Sequence, residues 1–264
     1  MNKTEIFAHR GQGHGSTNGL DPTGGAYVGY AENSIPALLT AALQGFHLEW
    51  DVLASGDRPD PAAIVAHGDA NDEGILDNED LALVAGDTPL RDLQRFGLVA
   101  HSPGQTHLPP LLDWVLDALV GKDVRLNIEL KGAGSAFAVT RCLQRRGTAG
   151  AGWDPRIIFS SFKPNELEAA RKAFPEADLA LLLWSGAPLV TGARMEQFIA
   201  RNRVTALHVD IPLAHEGMLE WAATLGCAVR VYTVNDPIMA IGLVHRGVTG
   251  LFTDFPQVIA SALQ

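Results

Sequence analysis

Cysteine is scarce in this chain: the two thiols, Cys142 and Cys227, lie far apart with no Cys-x-x-Cys pair. They read as buried apolar groups in a reducing compartment, which points to the cytoplasm, with a single disulfide between them left open. Positive charge is also in deficit, with 20 Lys and Arg against 30 Asp and Glu and a formal net charge of −10. A surface of that sign repels phosphate backbones and anionic headgroups, which argues against nucleic acid and stable membrane partners. No run approaches the roughly 20 uninterrupted apolar residues of a membrane span. The richest, residues 108–120, is broken by Asp113 and Asp117. Residues 1–5 are polar and pass at once into Ile6-Phe7-Ala8, leaving no room for the apolar core of a secretion signal. No internal repeat or low-complexity tract suggests a second domain.

What is present is globular: 264 residues, 47% hydrophobic and 19% charged. Short apolar or β-branched runs at residues 5–9, 47–53, 124–130, 157–160, 179–183, 206–210, 228–233 and 250–253 read as strands. Amphipathic stretches at 34–43, 110–120, 136–145, 165–174, 195–202, 215–225, 237–245 and 256–263 read as helices, with Pro164 and Pro237 near helix starts. Eight alternating units predict an α/β fold, a single (β/α)8 TIM-type barrel over residues 1–264. A further run, 63–67, follows the second strand too closely for a parallel crossover. Its connection, Ser55-Gly56-Asp57-Arg58-Pro59-Asp60-Pro61, is rich in turn formers, so a hairpin is expected, bringing His67 to the barrel mouth. Residues 11–29, with seven glycines, read as a long loop, and residues 68–109 as a small insertion. The C-terminal half is expected to be mainly scaffold.

Strand periodicity also sorts the polar residues. Residues two apart point to one face, so Glu49 and Asp51 project together while Leu48, Trp50 and Val52 face the helices. In the next parallel strand Asn127, Glu129 and Lys131 share a face. Three carboxylates would meet at adjacent strand ends, where two like charges about 4 Å apart repel by roughly 4 kcal/mol at an effective dielectric near 20. Such a cluster calls for protonation or a hard divalent cation, Mg²⁺ or Ca²⁺. The competing expectation is a structural network in which Glu49 pairs with Arg10 or Lys131. His9 and His67, both placed at the rim, suit acid and base roles near neutral pH. Arg10 and Lys131 suit phosphate oxygens. Most other histidines, His208 among them, read as ordinary core residues.

Taken together, the segments resemble the glycerophosphodiester phosphodiesterase family. The matching pieces are His9-Arg10-Gly11, Ala31-Glu32-Asn33-Ser34, residues 48–52, 65–69 and 108–112, Asn127-Ile128-Glu129-Leu130-Lys131, residues 159–162, Tyr232-Thr233-Val234-Asn235-Asp236 and residues 250–256. The resemblance implies an eightfold barrel that hydrolyses glycerophosphodiesters to glycerol 3-phosphate and an alcohol. It makes Glu49, Asp51 and Glu129 the metal ligands and His9 and His67 the acid/base pair. Arg10 and Lys131 would bind phosphate, and Glu32 with Asn33 would complete the site. It also implies attack by the glycerol 2-hydroxyl on phosphorus and a cyclic phosphate that is then hydrolysed.

The chain departs from the family pattern in four places. The His9-to-Glu32 spacing is long, His67-Gly68-Asp69 replaces adjacent His-Asp, Tyr232 stands where tryptophan is common, and the hairpin turn lacks its usual residues. Asp57 and Arg58 in that turn are expected to be solvated. Tyr232 is expected as an aromatic wall of the site, Asn235 as a substrate contact or turn former, Phe159 and Phe162 as packing, and Asp254 as a helix cap or a catalytic group. Two alternatives stay open: a larger lysophospholipid or sugar-linked phosphodiester as substrate, and a catalytically silent phosphate-binding barrel.

Overall fold

The computed structural model describes residues 4–12, 30–67, 89–90, 109–147, 154–186 and 192–264. Its strands are β1 (Glu5–Ala8), β2 (His47–Ala54), β3 (Ala63–Val65), β4 (Leu126–Leu130), β5 (Ile157–Ser161), β6 (Asp178–Leu183), β7 (Ala206–Asp210), β8 (Ala228–Tyr232) and β9 (Gly250–Thr253). Its helices are α1 (Ile35–Leu43), α2 (Leu112–Ala118), α3 (Ser135–Arg145), α4 (Pro164–Ala173), α5 (Ala193–Asn202), α6 (Glu216–Thr224), α7 (Pro237–His245) and α8 (Pro256–Ala262). Eight parallel strands run in the order β1-β9-β8-β7-β6-β5-β4-β2, and β1 pairs with β2 to close the cylinder. This is the expected TIM-type barrel. β3 lies antiparallel on β2, with Val52 opposite Val65, as the short connection required. Arg58 is exposed as expected, while Asp57 is half-buried and engaged. Its carboxylate accepts from the Ser55 hydroxyl at 2.6 Å and the Leu90 N–H at 2.8 Å, which ties the hairpin turn to the region that follows. Residues 13–29 and most of the 68–109 insertion, Asp69 included, lie outside the described residues.

Alternation along each strand builds two cores. Leu48, Trp50 and Val52 on β2 and Leu126, Ile128 and Leu130 on β4 face outward and are buried beneath the helices. Inside, Phe7, Ile158, Ala180, Ala206 and Phe252 fill the barrel, with the Phe7 and Phe252 rings stacked at 4.8 Å. Ala180, Ala206 and Ala228 are register partners, a row of small residues that leaves space for those rings. At the N-terminal end of the strands Glu5 accepts from Arg125 at 2.7 Å and Arg230 at 2.8 Å, so this end is closed by a paired network. Cys142 and Cys227 are free and buried, as anticipated.

Helix ends are satisfied locally. Ser34 accepts from the Ala37 N–H and Asp236 from the Met239 N–H, and proline opens α1, α4, α7 and α8. α3 begins after Gly134, which has no side chain to cap it. The buried Glu166 of α4 supplies the cap, accepting from the backbone of Gly134 at 3.1 Å and of Ala136 at 2.8 Å.

Candidate active site

β2 and β4 carry the acids. Asp51 is the register partner of Glu129, and Glu49 of Asn127, so the two strands present their inward residues at matched heights. One oxygen from each of Glu49, Asp51 and Glu129 lies within 4.8 Å of the others. Glu49 and Asp51 are almost wholly buried. Burial and the adjacent Asp51 charge push the Glu49 carboxyl up to about 8. Asp51 faces the same burial, but the charges of His67, Lys131 and Arg10 and a hydrogen bond from Asn33 hold it well below the usual carboxylate range.

Arg10 and Lys131 brace this cluster. The Lys131 ammonium lies 3.0 Å from Glu129 and 3.4 Å from Asp51, and burial notwithstanding, those carboxylates raise its pKa. The Arg10 guanidinium reaches Glu32 at 2.9 Å and Asp51 at 3.4 Å, while its backbone N–H donates to Glu49 Oε2 at 2.9 Å. Glu49 thus meets Arg10 through its backbone N–H. Its other oxygen, Oε1, is buried without a hydrogen bond. Three converging carboxylates and an orphaned buried oxygen fit a divalent cation with oxygen ligands.

The first loop is shaped to hold Arg10 there. Arg10 and Asn33 adopt left-handed backbone (φ 52 and 58), and the Asn33 N–H donates to the Arg10 carbonyl at 2.9 Å. The Asn33 carboxamide is paired twice with Asp51, donating to its carboxylate at 3.0 Å and accepting from its N–H at 3.2 Å. Gly11 (φ 79) follows, and a Cβ there would sit 2.7 Å from the backbone of Ala37 and Leu38. Gly11→Ala is therefore expected to destabilise the protein by about 1–3 kcal/mol. A thermal melt with an unchanged midpoint would contradict this close approach.

His9 lies just past β1, beside the last strand. Its Nδ1 lies 2.7 Å from Asp254 Oδ1. Asp254 Oδ2 in turn accepts from Asn235 Nδ2 at 2.7 Å, and Asn235 Oδ1 accepts from the Asp254 N–H at 2.9 Å. Burial and the Arg10 charge press His9 towards deprotonation, yet Asp254 and Glu49 outweigh them and raise its pKa. The α8 terminus takes no side-chain cap, so Asp254 orients a histidine instead. Asn235, read as a substrate contact or a turn former, holds Asp254. The C-terminal half thus contributes to the site as well as to the scaffold. Asp254→Asn removes the charge that raises His9, so the pH limb owed to His9 should move to lower pH, with turnover falling about tenfold or more. A pH–rate profile identical to that of the parent would refute this coupling.

The described residues enclose a cavity of about 450 Å³ over these groups, and His67, at the end of the hairpin, lines it, as does His9. Its floor holds Asn127 and His208, both buried, with Asn127 donating to Ser160 at 2.9 Å. His208 Nε2 lies 3.3 Å from the Arg230 guanidinium, and burial with that charge keeps the ring neutral, well below its ordinary pKa. Tyr232 lines the wall, but its hydroxyl donates to the Leu183 carbonyl at 2.7 Å, so the ring and not the hydroxyl proton faces ligand. Phe159 is buried as expected. Phe162 is 44% exposed and lines the cavity, where packing had been anticipated. Sequence reasoning also passed over Trp184, which stands at the same rim.

Carboxylates that attract a hard cation, two cationic side chains and a carboxylate-held histidine form an arrangement able to neutralise and cleave a phosphoester. Comparison with known proteins agrees. Residues 9–258 match the Glycerophosphoryl diester phosphodiesterase family. The chain is 26% identical over 273 residues to the uncharacterized protein YqiK of Bacillus subtilis, covering 99% of both chains. Among solved structures it is similar to an Oleispira antarctica phosphodiesterase in complex with the product sn-glycerol-3-phosphate, at 23% identity and TM-score 0.72, covering 98% of this chain and 96% of that one. A glycerophosphodiester phosphodiesterase from Parabacteroides distasonis shares the fold at 21% identity and TM-score 0.73, with coverage of 98% and 96%.

Proposed function

Because the chain belongs to the glycerophosphoryl diester phosphodiesterase family, whose members are phosphoric diester hydrolases, we propose that it cleaves glycerophosphodiesters to glycerol 3-phosphate and an alcohol. Residues 1–264 act as one barrel domain carrying an insertion at 68–109, and the two free buried cysteines favour a cytoplasmic setting. Among the described residues no helix is long and apolar enough to cross a membrane. The observation that carries the reading is the convergence of Glu49, Asp51 and Glu129 around an unpartnered buried oxygen, next to Arg10 and Lys131.

Glu49, Asp51 and Glu129 would hold one divalent cation, Mg²⁺ or Ca²⁺. When bound, it supplies positive charge to the phosphoryl oxygens. Arg10 and Lys131, fixed by their carboxylate partners, present their remaining N–H groups to the same oxygens. With Nδ1 engaged by Asp254, His9 is left with Nε2 to exchange a proton. His67, lining the same cavity, is its counterpart. One histidine takes the proton of the glycerol 2-hydroxyl as that oxygen attacks phosphorus, and the other gives a proton to the departing alcohol. The tethered hydroxyl needs no encounter in solution, which is the proximity advantage of an intramolecular nucleophile. The cyclic phosphate is then opened by water.

A coupled assay for released glycerol 3-phosphate, run over a panel of glycerophosphodiesters with and without chelator, tests the reading. Release that stops on chelation and returns with the ion is the expected result. No release from any member of the panel would overturn it in favour of a silent phosphate-binding barrel.

A further inference from the structure

The rim of the cavity is chemically divided. The acids, both cationic side chains and the two histidines come from β1, β2, β4 and the β3 hairpin. The opposite arc, after β5, β6 and at the end of β8, presents Phe162, Trp184 and Tyr232, and no lysine or arginine among the described residues that line it. Phe162 and Tyr232 stand edge to face, ring centroids 6.2 Å apart at 90°. Phe162 and Trp184 are 44% and 54% exposed, unusual for large rings that a core had room to take.

These rings are held in place. Trp184 lies flat over Gly186, where a Cβ would come within 2.4 Å of the indole, so only glycine admits this position. The next residue, Ser185, donates both its N–H, at 3.0 Å, and its hydroxyl to Asp210 Oδ2. The Tyr232 hydroxyl is tied to the Leu183 carbonyl, one residue before Trp184. Asp210 is the register partner of Tyr232, and its second oxygen is buried with no hydrogen bond. A carboxylate thus sits beside Tyr232 and the turn after Trp184, at an aromatic corner that offers no donor hydroxyl to a ligand.

Aromatic faces backed by a buried negative charge attract a cation that carries no N–H groups to satisfy. Resting on the hydrolysis proposed above, we propose that Trp184, Phe162 and Tyr232 form the leaving-group subsite and select an alcohol bearing a quaternary ammonium group, as in a glycerophosphocholine. A neutral alkyl group would gain from the same rings by burial alone, and an inositol or glycerol group would leave its hydroxyls without partners there.

The test compares kcat/KM for glycerophosphocholine, for the 3,3-dimethylbutyl diester of glycerol phosphate, which replaces the ammonium by a carbon of the same shape, and for glycerophosphoglycerol. The expected order places glycerophosphocholine about tenfold or more above its neutral counterpart. Trp184→Ala should lower the ratio of kcat/KM for glycerophosphocholine to that for glycerophosphoglycerol by about tenfold, whereas Trp184→Phe should retain most of the preference. Equal rates for the charged and neutral diesters would overturn the cation subsite. So would a Trp184→Ala variant that loses activity equally on all three. Release of glycerol 3-phosphate from glycerophosphoglycerol without a choline preference refutes this inference alone, while no release from any of the three refutes the hydrolysis itself.

Discussion

Replacing His9 with alanine is expected to lower kcat by about 10²–10⁴, the usual contribution of a positioned acid or base. The loss corresponds to roughly 3–5 kcal/mol of barrel-mouth transition-state stabilisation. The reason lies in the pairing at Nδ1. Asp254, itself held by Asn235, fixes one nitrogen of the ring, so the other is always presented the same way to the cavity. Alanine removes the proposed proton carrier and leaves the acids, Arg10 and Lys131 in the chain. KM should change little in comparison with kcat. Asp254 keeps its Asn235 partner in the variant, so the melting midpoint should fall by only a few degrees. Turnover within threefold of the parent would reassign the proton transfer to another group.

Stripping divalent ions is expected to abolish hydrolysis, and adding Mg²⁺ or Ca²⁺ to restore it. The same cluster makes a second, independent demand on stability. In the ion-free protein burial and Asp51 keep the Glu49 proton on up to about pH 8, whereas an ordinary glutamate loses it near 4.5. The folded state then binds more protons than the unfolded one between those values, so ion-free stability should fall as pH rises through that window. Glu49→Gln has no proton to lose and should flatten the curve. Bound ion should stabilise the parent most at the alkaline end, where the carboxylates are all charged, and the glutamine variant less. Denaturant melts from pH 5 to 8.5 with and without ion read all of this. An ion-free curve that is flat for the parent would contradict the crowding of Glu49 by burial and Asp51.

Much of the site was legible because a strand has a period of two. Leu48, Trp50 and Val52 could only face helices, which left Glu49 and Asp51 pointing in, and the same alternation placed Glu129 and Lys131 beside them. The hairpin followed from a connection too short to cross, and the barrel from eight alternating units. What the sequence did not reveal depends on closure of the ring. Asp254 is 245 residues from His9 and precedes Phe255-Pro256, so locally it resembled a helix cap. Only the pairing of β1 with β9 brings the two together. The pairing of Asn235 with Asp254, just past the neighbouring strand, was hidden for the same reason. Asp57 resembled an exposed turn residue because its partner Leu90 lies far along the chain. Phe162 and Trp184 carry no periodic signal at all: each falls one residue past a strand, where the local turn decides whether a ring packs or lines a cavity.

The central claim is that Glu49, Asp51 and Glu129 grip a divalent cation at the mouth of the barrel. Crystals grown with Mn²⁺ and measured near the manganese absorption edge test it most directly. An anomalous peak bounded by oxygens of these three side chains is predicted, and it should vanish in Glu129→Ala. A fully loaded crystal with manganese elsewhere, and none among the three carboxylates, would contradict the account.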